Sequence, residues 1–213
     1  MATLAQLQNG ELQGIQRLQI SEGLNHFPTE IFELADTLEI LDLSGNCLSQ
    51  LPDDLNRLYK LKIIFCSNNQ FTELPAVLGS CLHLTMVGFK SNQIHTVSAS
   101  ALPSALRWLI LTDNKILQLP EELGNCIKLQ KLMLSGNSLS NLPLSLSNCS
   151  NLELIRFASN QLVEFPKQLL KLPRLAWLAF ADNPFCLPIM QNNLAPSPIQ
   201  RLSWQNVRLG DLL

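Results

Sequence analysis

Apolar and polar residues alternate in a fixed rhythm along most of the chain. In "LEILDLSGNCLSQLPDDLNRLYK", residues 38–60, apolar side chains stand at Leu38, Leu41, Leu43, Leu48, Leu51, Leu55 and Leu58. The first part alternates, as a strand with one buried face does, and the last part steps by three or four, as a helical or 3-10 turn does. One polar residue interrupts the apolar register: Asn46 stands between Leu43 and Leu48, where burial is expected.

The same spelling returns in "LKIIFCSNNQFTELPAVLGSCLH" from Leu61, where Ile64, Cys66, Asn69, Phe71, Leu74 and Pro75 match Leu41, Leu43, Asn46, Leu48, Leu51 and Pro52. Further copies start at Leu84, Leu106, Leu129, Leu152 and Leu175, and their amides are Asn92, Asn114, Asn137, Asn160 and Asn183. A catalytic group is needed once per chain, so an amide in every turn serves something every turn needs. A buried backbone group left unpaired costs about 1–3 kcal/mol. The seven asparagines, held in one register, are therefore expected to form a structural ladder and not an active site.

The pattern L-x-x-L-x-L-x-x-N-x-L at this period resembles the leucine-rich repeat, in the variant whose second half reads L-P-x-x-L-x-x-L. That resemblance implies an α/β solenoid of about eight turns, with a curved parallel sheet on the concave face and short helical or 3-10 return segments on the convex face. A single turn cannot bury its apolar side alone, so stacking makes the core. The organisation expected is a cap over residues 1–14, the array over 15–186, a linker over 187–201 and a strand-like tail over 202–213. The first turn, from Ile15, is degenerate, with Gly23 near the place of the amide. The turn at 84–105 carries Val97-Ser98 in place of Leu-Pro.

Charge and cysteine usage narrow the partners. A formal net charge of −2 without a basic run gives no electrostatic footprint for nucleic acid or an anionic membrane. The N-terminal "MATLAQLQNGELQG" has no charged leader with an apolar core, and no apolar run approaches a membrane span, so a cytoplasmic location is expected. Cys81, Cys126 and Cys149 occupy the place that Leu58 and Leu172 take in other turns, and Cys66 takes an inward strand position. They are expected as buried free thiols, leaving Cys47 and Cys186 outside the pattern.

Candidate chemistry is sparse. His26, His83 and His95 fall at unrelated positions and share no metal-ligand spacing with the cysteines. Asp53-Asp54 and Glu121-Glu122 are adjacent pairs that do not face one another on a helical turn, where acidic residues favour the first turn. The expectation is a chain with no catalytic residue, metal or cofactor of its own.

Strand alternation supplies a surface instead. With Leu41 and Leu43 inward, the positions of Ile40, Asp42 and Ser44 point out. Followed through the turns, the first two columns bring together Ile40, Ile63, Phe65, Met86, Trp108, Ile110, Met133, Leu154 and Trp177, bordered by small polar residues such as Ser67, Thr112 and Ser135. Soluble monomers seldom expose an apolar patch beyond roughly 300–600 Å². Three readings fit the stripe: a protein partner on the concave face, side chains that cover one another if the arch is tight, or a neighbour of "RLSWQNVRLGDLL".

Over its whole length the chain also resembles the N-terminal part of bacterial proteins that join a leucine-rich array to a serine/threonine protein kinase domain. The residues that carry this are "LADTLEILDLSGN", "ALRWLILTDN", "KLQKLMLSGN", "LPRLAWLAFADNPFC" and the later "LSWQNVRLGDLL". The resemblance implies a substrate-docking or regulatory region for a C-terminal kinase domain. No G-x-G-x-x-G, H-R-D or D-F-G occurs, so no catalytic residue carries over. A ubiquitin-ligase effector with leucine-rich repeats fits less well, because those arrays use shorter turns.

Overall fold

Each repeat forms a strand of three residues: β1 (Arg17–Gln19), β2 (Ile40–Asp42), β3 (Ile63–Phe65), β4 (Met86–Gly88), β5 (Trp108–Ile110), β6 (Lys131–Met133), β7 (Leu154–Arg156) and β8 (Trp177–Ala179). The computed structural model describes residues 2–186, so the linker and the strand-like tail expected beyond them lie outside the described residues. The strands pair in parallel in chain order, forming one open sheet. Equivalent repeat positions face each other without a slip, as in Ile40↔Ile63 and Trp108↔Lys131.

Register survives the one short turn because the missing residue comes out of the return segment. Met86 still pairs with Trp108. The return there is Ala99–Ala101, and buried Ala101 and Pro103 stand where Leu78 and Cys81 stand one turn earlier. That return is a 3-10 segment of three residues, whereas those at Ala76–Ser80, Glu121–Asn125, Leu144–Asn148 and Lys167–Lys171 have five. A proline precedes each of these four. Its missing N–H is not needed there, while its carbonyl accepts the first bond, as Pro75 O does from Leu78 N at 3.2 Å.

One core runs the length of the array, built from the inward strand positions and the return leucines. Cys66, Cys81, Cys126 and Cys149 are buried in it, and all six cysteines are free. Burial raises the thiol pKa of Cys81 to about 11 and of Cys149 to about 12, with Cys126 adding to the latter.

The asparagines sit between turns as links of a continuous ladder. Asn114 donates from Nδ2 to Leu111 O of its own bend at 3.0 Å and to Phe89 O of the preceding turn at 2.9 Å, and its Oδ1 accepts from Ile94 N at 2.9 Å. Leu111 O in turn accepts from Asn137 at 2.9 Å, so carbonyl and amide alternate down the stack. Asn46 compensates for the degenerate first turn by accepting from both Glu22 N and Leu24 N at 3.0 Å. The residue before each asparagine is left-handed: Gly45, Asn68, Ser91, Asp113, Gly136, Ser159 and Asp182 have φ between 53° and 76°. Glycine, Asn and Asp tolerate that region best.

Both ends of the array are closed. At the N-terminal end a short helix, α1 (Leu4–Gln8), has a Thr3/Gln6 capping box and buries Leu7, and Glu22 accepts from Leu4 N at 3.0 Å. At the other end the ladder stops by a one-residue shift. In every turn from Asn46 to Asn160, the residue after the asparagine donates to the preceding turn, as Gln161 N does to Leu139 O at 2.9 Å, and the next residue's N–H is taken by the following asparagine, as Leu162 N is by Asn183 Oδ1 at 3.1 Å. Pro184 has no N–H to give, and Phe185 N bonds Leu162 O at 3.1 Å instead. The donor that calls for another asparagine is thereby already used. Phe157, Phe165, Phe180 and Phe185 pack as a ring cluster there, with centroids 5.5–6.1 Å apart.

Candidate functional site on the outer face of the sheet

The side chains flanking the buried middle residue of each strand point away from the core. Ile40, Ile63, Phe65, Met86, Trp108, Ile110, Met133, Leu154 and Trp177 all occupy this face, and all nine are half-buried, not freely exposed. Register sets them in two rows. One runs Ile40, Ile63, Met86, Trp108, Lys131, Leu154 and Trp177, and the other runs Phe65, Gly88, Ile110, Met133, Arg156 and Ala179.

Their partial shielding comes from the spacing of parallel strands, about 4.8 Å, which presses in-register side chains against each other. Phe65 lies across Gly88, which is itself buried although it faces outward. Lys131 Nζ stands 3.8 Å from the centre of the Trp108 ring, a cation–π contact. At the end of the row Trp177 holds its indole Nε1 buried without a hydrogen-bond acceptor among the described residues. Buried indole N–H groups ordinarily find one.

Charge on this face differs from the chain as a whole. Its outward columns carry Arg17, Lys90, Lys131 and Arg156 against one carboxylate, Asp42, while the chain is net negative. Asp42 accepts from Ser44 N at 3.0 Å, and Lys90 reaches Asp113 at 3.7 Å. Lys131 and exposed Arg156 have no ion-pair partner among the described residues.

The most exposed large apolar side chains lie off this face, a feature that the alternation did not flag. Tyr59, Leu82 and Ile127 share one repeat position two residues before the next turn's first leucine, and Leu144 and Val163 stand on the return side, at 72% and 71% exposure. No periodic signal marks them, because an exposed leucine in a return segment is spelled like a buried one. Leu144 and Val163 border a concavity of about 930 Å³ with Glu121, Phe165 and Lys167.

One member of each acidic pair makes local structural contacts. Glu121 accepts from Leu144 N at 3.2 Å and Ser145 N at 3.0 Å, and the Ser145 bond above all holds its pKa below the usual value. Asp54 pairs with Arg57 at 3.0 Å. Among the described residues no group of three or more His, Cys, Asp and Glu is placed to hold a metal ion, and no helix is long and apolar enough to cross a membrane.

Comparison with known proteins agrees with this architecture. The family model described as Leucine Rich Repeat matches residues 37–58, 105–126 and 128–149. The chain is 31% identical over 100 residues to the leucine-rich repeat and calponin homology domain-containing protein 1 of Mus musculus, covering 47% of this chain and 14% of that protein. It is 30% identical over 129 residues to the probable serine/threonine-protein kinase pats1 of Dictyostelium discoideum, covering 55% of this chain and 4% of that protein. It thus spans less than a sixth of the length of either relative. Among solved structures, an internalin from Listeria monocytogenes superposes with a TM-score of 0.68 at 19% identity, covering 82% of this chain and 50% of that one, a likeness of fold alone. With its parallel strands in chain order, its asparagine ladder and these matches, the chain folds as a leucine-rich repeat solenoid.

Proposed function

We propose that this chain is a protein-interaction scaffold that binds a partner through the outer face of its sheet, with no chemistry of its own. Leucine-rich arrays present a broad, rigid surface built from repeated positions. The observation that carries the proposal is the pair of rows, the first of which has six apolar outward positions, Trp108 at its middle and Trp177 at its end among them. Those two rings stand three strands apart, about 14 Å, and tryptophan is enriched among side chains that dominate interfaces. Purely parallel sheets are ordinarily covered on both faces. Here the described return segments share a core with the inward side chains, and the outer face keeps partial access to solvent.

The test is partner capture by wild-type chain and two variants. Trp108→Ala/Trp177→Ala is expected to lose the captured protein while keeping the wild-type circular dichroism spectrum. Leu82→Ser/Ile127→Ser, on the exposed row away from the sheet, is expected to keep it. The reverse pattern would move the interface to the return side.

A second reading makes the array the docking or regulatory region of a serine/threonine kinase. The match to the pats1 kinase, together with the similarity of "LPRLAWLAFADNPFC" and "LSWQNVRLGDLL" to leucine-rich repeat kinases, supports it. Sequencing the gene past the codon for Leu213 tests it: a frame running into a glycine-rich loop supports kinase coupling, and a stop codon refutes it.

A further inference from the structure

Resting on the sheet-face reading above, we infer that the β5–β8 half of that face takes an acidic protein segment, with carboxylates seated on Lys131 and Arg156 and an apolar side chain between Trp108 and Trp177. Two independent observations point the same way. The first is charge: Lys131 and Arg156 face outward from neighbouring strands with no ion-pair partner among the described residues. On the adjoining rims Asp113 is engaged by Lys90 at 3.7 Å, Asp182 accepts from Ser159 Oγ at 3.3 Å, and Arg107 donates to Gln130 at 3.0 Å, while Glu153 beside β7 has no cation within ion-pair distance among the described residues. The second is the Trp177 indole, whose buried Nε1 has no hydrogen-bond acceptor among the described residues.

Geometry sets the class of segment. Lys131 and Arg156 sit one strand apart and two residues apart along the strand direction, a Cα separation of roughly 8 Å from strand spacing and rise. Carboxylates two residues apart on an extended chain are about 7 Å apart, which matches. The residue between them points the other way, so the apolar contact comes from a residue before or after the pair. Lysine stacked on Trp108 is also held in place, which lowers the entropy lost when a carboxylate docks. A segment with basic or neutral side chains would leave both cations unpaired and gain only the apolar contact.

Panning a random twelve-residue peptide display library against the full chain tests this. The expected outcome is enrichment of Asp and Glu over the starting library, with affinity of a representative synthetic peptide falling at least tenfold in Lys131→Gln/Arg156→Gln and falling with added salt. Enriched peptides that lack acidic residues, or whose binding ignores Lys131→Gln/Arg156→Gln, overturn the acidic preference; if they still require Trp108 and Trp177, the sheet-face reading stands. Peptides that ignore both residue pairs, or no enrichment at all, overturn both. Circular dichroism of each variant separates loss of binding from loss of fold, and Lys131→Arg/Arg156→Lys, which keeps the charges, is expected to retain binding.

Discussion

The ring of Phe65 on β3 lies so closely over Gly88 on β4 that a Cβ placed on the glycine would stand 2.5 Å from Phe65 Cδ1. A hydrogen in place of a side chain thus lets an aromatic ring cover two strands of an outward face. Gly88→Ala is expected to turn the ring outward, with a stability change below about 1 kcal/mol because alanine's better strand propensity offsets part of the lost contact. Binding of an apolar fluorescent dye should rise while the melting temperature moves by a few degrees at most. Unchanged dye binding would mean the ring finds another shielded position.

Removing an amide from the ladder has a calculable local consequence. In Asn114→Leu, Phe89 O still accepts from Asn92 and Leu111 O from Asn137, so the group left without a partner is Ile94 N–H. An unsatisfied buried N–H predicts a loss of about 1–3 kcal/mol in urea unfolding. Hydrogen exchange at Ile94 should accelerate more than at Leu139, whose acceptor is Asn160.

Pro184 ends the ladder by withholding a donor. With Pro184→Gln, a new N–H competes for Leu162 O, and Phe185 N–H loses its acceptor. The expected cost is on the order of 1 kcal/mol, confined to the last turn. Amide exchange mass spectrometry should show faster exchange around Phe185 and wild-type protection from β2 to β6; uniform loosening would assign Pro184 a wider role.

Buried thiols make the array alkali-sensitive. An unfolded thiol ionises near pH 8.5, whereas burial raises Cys81 to about 11 and Cys149 to about 12. From about pH 8.5 upward the unfolded chain sheds protons that the folded chain retains, so this contribution to stability is intact below that pH and is lost as pH climbs toward the folded values. Replacing Cys81, Cys126 and Cys149 with leucine, the residue at Leu58 and Leu172, should flatten the fall in urea midpoint between pH 8 and pH 10.5. At pH 8 a thiol reagent is expected to modify half-buried Cys47 and Cys186 first and the four buried cysteines only on unfolding.

Much of this structure was legible in the residues because a repeat states each local rule many times. Leu41 and Leu43 against Leu55 and Leu58 could only be strand and return sharing a core, and Asn46 recurring as Asn69 and Asn92 had to satisfy backbone in every turn. The nine outward residues followed from alternation alone. Their half-buried state did not, since it depends on which neighbour stands across the strand: Phe65 meets Gly88, and Trp108 meets Lys131. The left-handed residue before each asparagine was equally hidden, being spelled Gly, Asn, Ser or Asp in different turns.

The sequence by itself determined the period, the inward positions and the amide ladder, because those depend on spacing within a turn. Only the tertiary structure decided how Asn46 serves two donors of the degenerate first turn, how Pro184 and Phe185 close the ladder, and where, among the described residues, charge on the outer face is paired. Each of those is a relation between residues more than twenty positions apart, which stacking in register creates and no local pattern encodes.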